Sequence, residues 1–108
     1  MVEEKSVQEL HDDIASGAVI LIDVREADEF ATSHIPYALS IPMSVFDRVF
    51  PMMNFERNKP LVFHCKVGGR SQRVCDYVSS IPDHESRIII NMTGGILAWA
   101  EADYILIQ

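Results

Sequence analysis

Leu61-Val62-Phe63-His64-Cys65-Lys66-Val67-Gly68-Gly69-Arg70-Ser71 is the stretch that decides how this 108-residue chain folds and what chemistry it carries. Leu61 to Cys65 reads as a buried core strand. Gln72 to Ser80 reads as the helix that follows it, with Val74, Tyr77, Val78 and Ile81 as an apolar stripe. A thiol between a strand end and a helix start lies where backbone N–H groups converge and the helix dipole is positive, so its thiolate is favoured there. Gly68 and Gly69 let the intervening loop curl with its N–H groups inward. A glycine pair alone marks ordinary turns just as well; the cysteine before it gives it weight.

Charge points to the same place. Five of the 9 Lys and Arg residues (Arg57, Lys59, Lys66, Arg70, Arg73) fall between Arg57 and Cys75, a stretch without Asp or Glu, whereas the whole chain has a formal net charge of -7. Such a local excess draws small anions and lowers the pKa of a neighbouring thiol. Arg57 and Lys59 serve equally well as solvated surface charges. Lys66 and Arg70 flank the glycines and read as functional, Arg70 with paired donors for anionic oxygens. The acidic remainder argues against a nucleic-acid partner, which needs a broader basic surface.

Working outward, Ser6-Val7-Gln8-Glu9 has the form of a capping box, and Val7, Leu10 and Ile14 recur at helical spacing, predicting a helix from about Val7 to Ala15 that ends near Gly17. Ala18 to Val24 is a continuous rather than alternating apolar run, the mark of a strand covered on both faces. Glu26 to Thr32 predicts a short helix anchored by Phe30. Ala38 to Ile41 predicts a short strand, and Ser44 to Phe50 a helix burying Val45, Phe46 and Val49. Arg87 to Asn91 gives a third core strand. Gly94-Gly95 then introduces a helix over about Ile96 to Ala102, with Ile96, Leu97 and Trp99 inward. The apolar tail Tyr104 to Ile107 either docks on the body or adds an edge strand. Strands alternating with helices give a mostly parallel sheet of four to five strands between helix layers, an α/β fold in which ligands bind beyond strand carboxyl ends.

No linker or repeat divides the sequence, which predicts one domain over residues 1–108. The longest apolar run is five residues, Ala18 to Ile22, against the ~20 needed to cross a bilayer, so no membrane span is expected. Met1 to Lys5 resembles neither a secretory signal nor a transit peptide, which places a complete chain in the cytoplasm. Two cysteines ten positions apart fit neither a disulfide framework nor a metal site, and nothing demands a metal, nucleotide or flavin.

Four motifs in order make the chain resemble a single-domain rhodanese, or thiosulfate sulfurtransferase. They are Leu21-Ile22-Asp23-Val24-Arg25-Glu26 with Glu29-Phe30, then Ser33-His34-Ile35-Pro36-Tyr37-Ala38, Val62-Phe63-His64-Cys65 with Gly69-Arg70-Ser71, and Gly94-Gly95-Ile96-Leu97-Ala98-Trp99. The resemblance implies that Cys65 carries a persulfide and that Lys66, Val67, Gly68, Gly69, Arg70 and Ser71 surround it. It also implies that Asp23 and Arg25 are chiefly a structural pair. The implied reaction moves a sulfane sulfur from a small anionic donor such as thiosulfate to cyanide or a cellular thiol, with protein donors or acceptors also compatible. Tyr37 and Ser33 replace residues that are glycine in the family pattern and are expected near the site mouth. The short N-terminal segment leaves the family's first edge strand in doubt.

Other readings stand beside this one. A docking module or a persulfide carrier fed by a partner differs in donor and acceptor rather than fold. A cysteine phosphatase or arsenate reductase uses a C-x5-R loop, whereas Cys65 and Arg70 are spaced C-x4-R, a tighter loop suited by family analogy to a single sulfur atom. His64 is expected on the opposite strand face as a satisfied structural histidine. Cys75 reads as a packed thiol, Trp99 as core, and Met43, Met52 and Met53 as gap filling.

Overall fold

A helix between each strand and its successor carries the chain back to the same end of the sheet, so neighbouring strands pair parallel. The computed structural model describes residues 2–108 and shows this arrangement. Strands β1 (Val2–Lys5), β2 (Ile20–Asp23), β3 (Leu39–Ser40), β4 (Leu61–His64) and β5 (Ile89–Met92) form one parallel sheet of order β1-β5-β4-β2-β3. Helices α1 (Val7–Ser16) and α5 (Gly95–Glu101) cover one face. The short α3 (Phe46–Val49), extended by 3₁₀ turns, and α4 (Gly69–Ser79) cover the other, and α2 (Ala27–Thr32) follows β2. Among the described residues no helix is long and apolar enough to cross a membrane.

The central strand β4 shows why three layers form. Leu61 and Phe63 point into a core with Ile22, Phe46, Phe50, Cys75, Val78 and Ile89, whereas Val62 between them joins Val7, Leu10, Ile14, Ile90, Met92 and Trp99. All four β4 residues are buried, which is why the run reads as continuously apolar. Helix α1 starts as its capping box dictates, with the Glu9 N–H donating to Ser6 Oγ at 3.1 Å and the Ser6 N–H to Glu9 Oε1 at 2.9 Å.

Several expectations are corrected. The edge strand left in doubt exists: β1 pairs with β5 from Val2–Ile89 to Lys5–Met92. Helix α4 begins at Gly69, three residues early, so Gly69, Arg70 and Ser71 form its first turn rather than loop. Phe30 is half-buried and stacks on His34 (centroids 3.8 Å apart), anchoring nothing in the core. Tyr77, Leu97, Met52 and Met53 are exposed. Arg87 precedes its strand and donates to the carbonyls of Glu56, Lys59 and Phe55, tying down the segment before β4. The tail docks rather than extending the sheet. Tyr104 and Leu106 pack on the α1/α5 layer, Trp99 Nε1 donates to Ile105 O at 2.8 Å, and Ile107 makes a single antiparallel bridge to His34.

Tyr37 also departs from its expected place. It lines a hollow with Gly17, Val19, Ile20 and Lys59, residues that lead into β2 and β4, so it sits at the opposite end of the sheet from Cys65. Its φ of 73° lies in the left-handed region while its ring is 75% exposed, so strain is held with little burial in return. Tyr37→Gly is therefore expected to raise unfolding stability by about 0.5–1 kcal/mol, relief of strain exceeding the added chain entropy. A urea midpoint unchanged or lowered would contradict it.

Candidate active site

Cys65 follows the last residue of β4, at the carboxyl end of the sheet's central strand, and is buried. Three donors face its sulfur: the Gly68 N–H at 3.1 Å, the Ser71 N–H at 3.4 Å and Ser71 Oγ at 3.4 Å. Burial pushes the thiol's pKa up. The hydrogen bonds from the Ser71 hydroxyl and N–H and from the Gly68 and Val67 N–H groups outweigh it, so the net shift is downward. Gly68 adopts φ 122°, a conformation side-chain-bearing residues resist, and this turn aims its N–H at the sulfur.

The loop is gripped from behind as well. Cys65 O accepts from the Ile96 N–H at 2.9 Å and Lys66 O from the Leu97 N–H at 3.2 Å, so the first turn of α5 anchors the first two peptide planes of the loop. Gly95 lies between. A Cβ there would stand 2.5 Å from both carbonyl oxygens.

Asp23 and Arg25 form a buried, bidentate pair. Arg25 Nη2 donates to Asp23 Oδ2 at 2.8 Å and Nε lies 3.1 Å from both oxygens, while the Arg25 N–H caps Oδ1 at 2.9 Å. Arg25 Nη2 also donates to Ser33 O at 2.8 Å, which ties the end of β2 to the end of α2. Ser33 thus contributes its carbonyl to this anchor. His64 is fully buried, with Nδ1 3.2 Å from Cys65 O, and burial pushes its pKa down so that it is neutral. Its Nε2 lies 3.6 Å from Asp23 Oδ2 and has no hydrogen-bond partner, so the histidine is only half satisfied.

Arg70 corrects the expectation that its fork is free for substrate. Nη1 and Nη2 donate to Glu29 Oε1 and Oε2 at 2.8 and 3.1 Å, and this pairing holds the Glu29 carboxyl down at about 2. The pair ties the first turn of α4 to α2 beside the thiol. Lys66 and Val67 are exposed on the loop's outer side. Cys75 is buried, and its thiol is pushed up to about 12 by burial, so it stays protonated and inert.

Sequence reasoning missed Glu29, Gly95 and Asn91. Asn91 is buried on β5 and touches Ser71 Oγ at 2.6 Å. Glu29 and Gly95 stood inside recognised motifs but were read as helix residue and helix introduction. Asn91 carried no local signal, because its role comes from register alone: it pairs with Phe63, two residues before the cysteine.

The class so defined is a parallel α/β fold that presents a hydrogen-bonded cysteine at the carboxyl end of its central strand. Residues 6–102 match the model of the rhodanese-like domain, and the chain belongs to that family. It is 36% identical over 99 residues to "Putative sulfurtransferase YtwF" of Bacillus subtilis (strain 168), covering 91% of this chain and 90% of that protein. It is 32% identical over 94 residues to "Protein HIGH ARSENIC CONTENT 1, mitochondrial" of Arabidopsis thaliana, covering 77% of this chain and 53% of that one. The crystal structure of a rhodanese-related protein from Thermoplasma volcanium superposes with a TM-score of 0.82 at 26% identity, covering 97% of each chain.

Gly95→Ala is expected to destabilise the fold by roughly 2–4 kcal/mol, since backbone carbonyls cannot withdraw without moving Cys65. A urea titration measures it, and a cost under about 1 kcal/mol would show that the loop is not gripped as described.

Proposed function

We propose that this chain is a single-domain sulfurtransferase that carries a sulfane sulfur as a persulfide on Cys65. The observation that carries the reading is the sulfur of Cys65 facing three hydrogen-bond donors, with its pKa lowered in spite of burial. The thiolate attacks the outer sulfur of a donor such as thiosulfate. One sulfur–sulfur bond forms, the donor's breaks, and the electron pair leaves with sulfite. An acceptor nucleophile, cyanide or a thiolate, then takes the outer sulfur and returns the electron pair to Cys65 Sγ. Both partners are soft and polarisable, so an ionised thiol needs neither metal nor general base.

The N–H groups of Lys66 to Ser71 and the positive end of α4 stabilise the anion at each stage. Asp23 and Arg25 close the end of β2, the neighbour in register with β4, from which this loop departs. The C-x4-R loop, one residue shorter than the C-x5-R loop of the cysteine phosphatases, supports attack on a single outer sulfur over transfer of phosphate or arsenate, whose central atom would itself have to enter the loop.

Incubation with thiosulfate followed by mass spectrometry is expected to add about 32 daltons, one sulfur, at Cys65. Cys65→Ala is expected to abolish cyanide-dependent turnover and Cys75→Ala to preserve it. An unmodified thiol with turnover of an aryl phosphate or arsenate instead would end the proposal.

Arg70 yields a second test. Glu29→Gln leaves the guanidinium un-neutralised beside the site, and the KM for thiosulfate is expected to fall about threefold or more at low ionic strength, with the gain lost in high salt. A raised KM would mean that the pair acts only by holding the loop in shape.

A further inference from the structure

The hydroxyl of Ser71 has one proton and three acceptors within reach. Asn91 Oδ1 lies at 2.6 Å, Gly68 O at 3.2 Å and Cys65 Sγ at 3.4 Å. Which acceptor receives the proton depends on how the Asn91 amide is turned. Its Nδ2 faces the Glu4 carboxylate at 3.1 and 3.3 Å, Gln72 Oε1 at 3.3 Å and Gly68 O at 3.5 Å. A carboxylate only accepts, and the Glu4 contact is the shortest of these while Gly68 O stands at the outer limit of a hydrogen bond, so Glu4 is the group that keeps the NH2 turned toward it and Oδ1 toward Ser71. Glu4 is itself steadied by Thr93 Oγ1 at 3.1 Å. A glutamate on edge strand β1 therefore fixes the amide of a buried asparagine on β5, and that amide competes with the sulfur for the serine proton.

We propose that Asn91, oriented by Glu4, is a positioning residue that shares the Ser71 hydroxyl proton with Cys65 Sγ and releases it to the sulfur only when the sulfur bears full negative charge. While Sγ is a thiol or the inner atom of a persulfide, its pull on the proton is weak and the 2.6 Å contact to Asn91 prevails. When an acceptor takes the outer sulfur, the sulfur–sulfur bond breaks and its electron pair settles on Sγ. The O–H then turns toward Sγ by rotation about the serine Cβ–Oγ bond, with no heavy atom moving and no proton leaving oxygen. A hydrogen bond made in the leaving state and absent before it lowers the barrier rather than merely tightening the ground state. The assignment deepens the sulfurtransferase reading, but its test does not depend on that reading.

The test is the pH dependence of iodoacetamide alkylation at Cys65 in the full chain, in a Cys75→Ala background. Glu4 is exposed, so Glu4→Ala spares the core. It releases the Asn91 amide to invert and donate to Ser71 Oγ, which leaves the hydroxyl proton on the sulfur. The thiol pKa is expected to fall by about half to one unit, the scale of one net intramolecular hydrogen bond. Ser71→Ala is expected to raise it by about one unit, and Glu4→Ala added to Ser71→Ala to produce no further shift. Glu4→Gln keeps an acceptor for Asn91 Nδ2 while removing the charge, and should restore the parent pKa. A fall in Glu4→Gln equal to that in Glu4→Ala would assign the effect to charge alone and overturn the proposal. So would a Glu4→Ala shift that persists without the serine hydroxyl, or no shift at all. These readings require no sulfur transfer, so an inactive protein with the expected pKa pattern would sink the sulfurtransferase reading and leave this one standing.

Discussion

The loop that carries the thiol is anchored where it leaves β4 by two backbone carbonyls bonded to the start of α5. Cys65 O and Lys66 O accept hydrogen bonds from the start of α5, at 2.9 and 3.2 Å, and a peptide plane whose carbonyl is held outward presents its N–H on the other side. Of the amides near Sγ, that of Val67 shares its peptide plane with Lys66 O and is thus fixed by a helix that never touches the sulfur. Gly95 permits this approach because any side chain there would occupy the space of the carbonyls themselves.

The same economy governs the ionic groups. Asp23 and Arg25 neutralise each other in the interior, Arg25 Nη2 donating also to Ser33 O and the Arg25 N–H to Asp23 Oδ1, so the two charges are paired where β2 ends. Arg70 and Glu29 repeat the device half-exposed, tying α4 to α2. Both ion pairs are clamps: one ties the end of β2 to the end of α2, the other the first turn of α4 to α2.

What was legible in the sequence was what depends on local pattern. The capping box at Ser6, the continuous apolar runs of β2 and β4 and the placement of Cys65 at a strand end follow from neighbours within a few residues, and the structure has them so. What was illegible depends on pairing across the chain. Glu3 and Glu4 hide β1, since charged residues suit an exposed edge but disguise it as a tail. Phe30, Tyr77 and Leu97 fall at helical spacings that predict burial, yet no facing element covers them. Tyr37 was assigned to the wrong end of the sheet because a motif position says nothing about which way the connection into a two-residue strand runs.

The chain's charge distribution takes on a different meaning once Glu29 is in place. The basic stretch from Arg57 to Cys75 promised a strongly cationic site, but Arg70 is paired with Glu29 and Lys59 with Glu56, before β4. What remains to attract an anion is mainly backbone amide and helix dipole, which have fixed direction and short range. A site built this way discriminates by fit around one atom rather than by long-range attraction. It also lets hydrogen bonds from Ser71, Gly68 and Val67, rather than a cationic surface, draw the pKa of a buried thiol down in an acidic protein of net charge -7.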